Sequence, residues 1–125
     1  MNMLLNDLFS YTELEESSDS LLKFKIEIKA NHAVFEGHFP GNPVMPGVCQ
    51  MEIVKEVMCS YFKRELVFNS VADMKFINMW LPNEATNVFL DISTDAIENG
   101  FKVKAIIYSD TKTFFKMRGE LNGSF

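Results

Sequence analysis

From Val48 to about Arg64 the chain carries neither glycine nor proline, and a helix there would be apolar on most of its sides: Val48, Met51, Ile53, Val54, Val57, Met58, Tyr61 and Phe62. Such a helix must be buried on more than one side. Its polar stripe is narrow, running Glu52, Lys55, Glu56, Cys59 and Lys63. Lys63 and Arg64 close it where cations suit the carboxyl end of the helix dipole. One buried helix needs a wrapper, and the rest of the sequence supplies strands. A strand is expected over 8–16, and Ser17-Ser18-Asp19-Ser20 reads as a turn. Leu22, Phe24, Ile26 and Ile28 alternate with Lys23, Lys25, Glu27 and Lys29, the pattern of a half-buried strand. Residues 66–80 read as one long strand with room for a bulge, ended by Pro82-Asn83-Glu84. Val88, Leu90 and Ile92 alternate with Asn87, Phe89 and Asp91, Glu98-Asn99-Gly100 is a turn, and Phe101, Val103, Ala105 and Ile107 alternate again. After Ser109-Asp110 a last strand carries Thr113, Phe115, Met117 and Gly119. The economical arrangement is α+β: a mostly antiparallel sheet of about five to six strands around one long central helix.

At 125 residues the chain fits one domain over 1–125 and is large enough to fold without a metal or disulfide staple. Twelve Phe and eight Met are a generous apolar supply, which an apolar pocket or a shared interface would use. A net charge of −5 gives a nucleic-acid role no electrostatic support. The start MNMLLNDLFSYTELEE has no basic n-region, so no signal peptide is expected. The longest uncharged stretch, Gly37 to Met51, is broken by three prolines and is shorter than the roughly 20 apolar residues a bilayer needs. Cys49 and Cys59, ten apart on the helix, would stand about 15 Å apart. A disulfide needs about 7 Å, so two free thiols and a reducing, cytoplasmic setting are expected. No metal-ligand spacing and no glycine-rich phosphate loop occurs, so neither a metal nor a cofactor is expected.

The chemistry concentrates in residues 35–48, Phe-Glu-Gly-His-Phe-Pro-Gly-Asn-Pro-Val-Met-Pro-Gly-Val, followed by Glu52. Prolines at 40, 43 and 46 exclude helix and central strand and make a stiff loop ending at a helix amino terminus. There the amides of Gly47 and Val48 are free of intrahelical partners, and Gly47, lacking Cβ, lets a ligand approach the backbone. A carbonyl gaining negative charge is stabilised at such a point. His38 is an acid or base near neutral pH, and Glu52 lies about one turn inside the helix. Imidazole, carboxyl and oxyanion hole together suit proton abstraction beside a thioester carbonyl. Each part has a plainer reading: a lone loop histidine is commonly a surface or capping residue, Glu52 fits a solvated helix stripe, and the spaced prolines fit a packed crossing or a polyproline ligand. His32 has no partner by spacing and is assigned no role.

The run Gly37-His38-Phe39-Pro40-Gly41-x-Pro43-Val44-Met45-Pro46-Gly47-Val48, with Glu52 fourteen residues after His38, resembles the signature of the β-hydroxyacyl–acyl carrier protein dehydratases. That resemblance implies a hot-dog fold and a homodimer, or an oligomer of dimers, with active sites at the interface that take His from one subunit and Glu from the other. It implies that His38 handles the α-proton, that Glu52 is its carboxyl partner near the β-hydroxyl, and that the Gly47 amide, with Val48 beside it, receives the carbonyl. The reaction implied is dehydration of a 3-hydroxyacyl thioester to the trans-2-enoyl form in fatty-acid or related acyl-chain biosynthesis. The acyl chain would arrive on the phosphopantetheine of acyl carrier protein. Which of His38 and Glu52 protonates the leaving oxygen stays open. The sequence departs from the family at Glu56, where a Gln is usual, at the short amino-terminal segment, and at Pro82-Asn83-Glu84, where Pro-Gly-Asp is typical. Two other readings remain: a hot-dog acyl thioesterase, and a non-catalytic acyl-binding partner subunit. An acidic carrier would need a local basic patch. Lys102 and Lys104 on one strand and Lys112, Lys116 and Arg118 on the next are the first candidates, with few acids expected among them; Lys63 and Arg64 are the second.

Overall fold

The computed structural model describes residues 4–35, 43–85 and 87–123. Six strands form one sheet: β1 (Phe9–Glu13), β2 (Leu21–Ile28), β3 (Leu66–Phe76), β4 (Val88–Ile97), β5 (Gly100–Ser109) and β6 (Thr113–Gly123). Their order is β1-β2-β4-β5-β6-β3, with every neighbouring pair antiparallel. Among the described residues one α-helix, α1 (Gly47–Phe62), is enclosed by the sheet, and Ala33–Phe35 form a short 3-10 turn. The alternation in sequence sets the two faces. Leu22, Phe24 and Ile26 of β2, Leu90 and Ile92 of β4, Val103, Ala105 and Ile107 of β5, and Phe115, Met117 and Leu121 of β6 are all buried. They share a core with Ile53, Val54, Val57 and Met58 of α1, all fully buried. This is the sheet wrapped around a helix expected from the apolar pattern, and the hot-dog fold that the resemblance implies.

Three expectations need correction. The strand read over 66–80 ends at Phe76, although its bulges are present, near Asn69 and near Ala72. Beyond it the chain leaves the sheet so that Trp80 can be fully buried, stacked on Phe114 at 5.6 Å, while its carbonyl accepts the Met45 amide at 2.8 Å. The turn at Glu98-Asn99-Gly100 also works differently. Asn99 takes the left-handed conformation, with φ 62°, whereas Gly100 already sits in β5 opposite Ile97. A Cβ on Gly100 would lie 1.9 Å from the Leu121 carbonyl oxygen, so this glycine serves the close approach of β6. Finally, the polar stripe of α1 is not a solvated face. Glu52 and Lys55 are partly covered and Glu56 is fully buried, because residues 4 and 5 fold across it.

Those amino-terminal residues are tied in at several points. Leu8 and Phe9 join the core, the Lys29 amide donates to the Leu8 carbonyl at 2.8 Å, and His32 Nε2 meets Asp7 at 2.8 Å. His32 Nδ1 accepts the Val34 amide at 2.9 Å. The histidine left without a role in sequence therefore staples two segments.

Candidate active site

The amino terminus of α1 follows Pro46 directly. Pro46 caps it in an extended conformation with no side-chain hydrogen bond, and only Cys49 and Gln50 return their amides to the Pro46 carbonyl. The amides of Gly47 and Val48 find no acceptor among the described residues. Two unpaired N–H groups at the positive end of a helix dipole can receive a developing oxyanion. The position of Gly47 also shows why no larger residue stands there. A Cβ would meet the Phe76 ring at 2.7 Å, so β3 lays an aromatic wall directly over the helix start. Phe76 in turn rests on Phe115, with ring centroids 5.1 Å apart. Sequence periodicity could not reveal this wall, because Phe76 reads as one more residue of a long strand.

Glu52 is partly buried about one turn inside α1. Its carboxyl is held above the usual carboxylate range, first by burial and then by the Glu56 carboxyl beside it. Lys55, with Nζ 3.3 Å from Glu52 Oε2, pulls the other way and does not prevail. Cys49, one turn earlier, is buried, and that burial pushes its thiol up, with Glu52 and Glu56 adding to the shift. The thiolate is disfavoured, so Cys49 is poorly suited to nucleophilic chemistry. Cys59 is free as well, engaged with the Leu66 backbone at the far end of the helix. His38, the other acid–base candidate, lies outside the described residues. Among the described residues no cluster of His, Cys, Asp and Glu could hold a metal, and no helix is long and apolar enough to cross a membrane.

The cations proposed for docking are placed differently from one another. Lys102 and Lys104 of β5 and Lys116 and Arg118 of β6 share the outward sheet face, where Lys104 stands opposite Arg118. Lys112 stands instead in the turn before β6. The expectation of few acids fails. Lys102 is flanked by Asp95 and Glu120, Arg118 Nε is bound by Asp73 at 2.8 Å, and Asp91 takes Lys23 at 3.1 Å. The physical cause is cross-strand pairing, which sets opposite charges side by side on a solvated face. At the helix end, Arg64 lies over the Phe101 ring, 5.9 Å from its centroid, and reaches the Asn99 carbonyl.

The edge strand β3 is the anomaly of the surface. It is exposed on both faces over most of its length, and Phe76 (51% exposed), Ile77 and Met79 (60%) continue its apolar residues Val67, Val71 and Met74. Val48, at the helix start, is 77% exposed beside them in the same quarter of the fold, since Gly47 touches Phe76.

Comparison with known proteins agrees with this geometry. Residues 13–116 match the family model for ApeI-like proteins, described as ApeI dehydratase. A 3-hydroxyacyl-acyl-carrier-protein dehydratase FabZ from Fusobacterium nucleatum is 31% identical over 90 residues, covering 68% of this chain and 62% of that protein. The FabZ of Oenococcus oeni is 33% identical over 93 residues, 67% of each chain. The chain thus spans less than two thirds of the Fusobacterium relative. Among solved structures, the dehydratase heterocomplex ApeI:P from Xenorhabdus doucetiae superposes with a TM-score of 0.68 at 20% identity, covering 90% of this chain and 98% of that one. A conserved protein from Pseudomonas aeruginosa gives 0.63 at 16% identity, covering 93% and 88%. These two likenesses bear on the fold, and the family match spans most of the sequence. The chain belongs to the ApeI-like dehydratase family, on the FabZ-like hot-dog fold.

Proposed function

We propose that this protein dehydrates a 3-hydroxyacyl thioester to the trans-2-enoyl thioester, with the acyl chain delivered by acyl carrier protein. The observation that carries the reading is a carboxyl disposed to keep its proton, Glu52, set one turn inside a helix start whose Gly47 and Val48 amides find no acceptor among the described residues. The thioester carbonyl oxygen accepts from the Gly47 amide, which acidifies the C2 proton. His38 removes that proton, the C3–O bond breaks, and Glu52 gives its proton to the departing oxygen, so one water leaves and a C2–C3 double bond forms. A raised carboxyl pKa is what the acid in that last step needs.

The relatives named FabZ support acyl carrier protein as the carrier. The carrier dock is proposed on the outward face at Lys102, Lys104, Lys116 and Arg118 with Lys112 at its rim, near a shallow groove of about 360 Å³. The site is proposed to be shared across a homodimer. An edge strand with four exposed apolar residues, continued by exposed Ile77 and Met79, is a surface that a second copy would cover. Purified protein given a 3-hydroxyacyl-loaded carrier should produce enoyl absorbance. Release of free carrier thiol instead would identify a thioesterase, and neither signal would identify a non-catalytic acyl-binding subunit.

A further inference from the structure

Glu56 has surroundings that are unusual for a carboxyl. It is fully buried. Its Oε1 accepts two backbone amides from the amino-terminal segment, Leu4 at 2.8 Å and Leu5 at 2.9 Å. Its Oε2 is buried and meets no donor among the described residues. The group beside it is the Glu52 carboxyl, one helical turn earlier. Two ionised carboxylates are acceptors only and repel. They bond when one of them carries a proton, and Glu56 already commits one oxygen to two N–H groups as an acceptor.

Resting on the dehydratase reading, we propose that Glu56 is a positioning residue that holds a proton on Glu52 and aims that carboxyl at the amino end of α1. The Oε2 left without a donor accepts the Glu52 O–H, and the Leu4 and Leu5 amides fix the accepting group in turn. Glutamine at this position would offer Glu52 an amide donor and favour its ionised form. Glutamate favours the acid. Among the described residues, the charged groups acting on Glu52 are Glu56 and Lys55, both on α1. Cys49 is the titratable neighbour one turn earlier, and the amino-terminal segment contributes the two amides. Lys55 opposes the effect. The amino-terminal segment thereby joins the site without touching substrate.

The test is titration of the Glu52 carboxyl carbon by NMR in protein labelled at glutamate Cδ, with the resonance assigned by its loss in Glu52→Gln. In the intact protein Glu52 should titrate above the ordinary carboxylate range. In Glu56→Gln, which keeps an oxygen for Leu4 and Leu5 but loses the charge, it should titrate lower. Because Glu52 acts as the acid, the rate falls as pH rises through its folded pKa. The alkaline limb of kcat should therefore move to lower pH in Glu56→Gln, with a loss of rate on the falling side and KM little changed. Ordinary titration of Glu52 in the intact protein overturns the proposal, and that measurement decides even if the variant fails to fold. So does identical titration in the two proteins. A shifted titration in a protein that does not dehydrate would leave the Glu56–Glu52 pair standing and remove the dehydratase reading instead.

Discussion

The two ends of α1 are built for opposite ends. At the carboxyl end Lys63 takes the left-handed conformation (φ 55°) and returns its amide to the Cys59 carbonyl. Tyr61 and Phe62 there join an aromatic chain running from Tyr11 through Phe24 to Phe101, with successive ring centroids 4.4 to 5.6 Å apart. Tyr11 and Ser60 close it with a 2.7 Å hydrogen bond. That end is sealed by packing. The amino end has no side-chain cap, two amides without an acceptor among the described residues, a glycine where a Cβ would strike Phe76, and a carboxyl about one turn inside. One end is closed by packing, and the proposed chemistry lies at the other. An uncapped helix start is a cost that a protein with no ligand would have reason to remove.

Substitutions can break this contrast. Phe24→Ala, at the sealed end, should lower unfolding free energy by about 3–5 kcal/mol in a denaturant titration while leaving turnover intact at low temperature. Loss of turnover in the folded variant would show that the two ends are not separable. Next, His38→Ala and Glu52→Gln should each reduce kcat by at least roughly 100-fold with little change in melting temperature. Mixing these two inactive proteins should restore about a quarter of wild-type activity if the site is shared between freely exchanging subunits. No recovery despite demonstrated exchange would place both residues in one chain's site. Gly47→Ala should cost about tenfold in kcat by displacing Phe76 and the helix start, and adding Phe76→Ala should recover part of that loss. Simple additivity in the double variant would detach Phe76 from the site. The smallest effect expected is on the outward face. Replacing Lys112, Lys116 and Arg118 by Glu should raise KM for carrier-bound substrate a few-fold and flatten its salt dependence, with a small thioester mimic unaffected. Because Arg118 is already engaged by Asp73, equal losses on both substrates would assign the face to folding.

Much of this was legible in sequence, for identifiable reasons. The all-round apolar helix and the period-two runs in β2, β4 and β5 report burial directly, so element types and the wrapped arrangement followed. The loop motif marked Gly47 and Glu52 because glycine, proline and helix start are local signals. What escaped detection depends on contacts distant in sequence. Glu56 looks like a stripe residue until Leu4 and Leu5 fold across it, 52 and 51 positions away. Phe76 looks like a strand residue until it lies on Gly47. The basic surface looked clean because strand register, which sets Asp73, Asp95 and Glu120 among the cations, is not written in any one strand.

Dehydration is reversible, which permits a direct trial of the account. The protein is incubated with a trans-2-enoyl thioester in water enriched in oxygen-18, and products are examined by mass spectrometry. An active pair at the amino end of the helix predicts a 3-hydroxyacyl thioester labelled on the C3 oxygen, with incorporation abolished in Glu52→Gln. Oxygen-18 in a free carboxylate, or unaltered enoyl thioester, would contradict it.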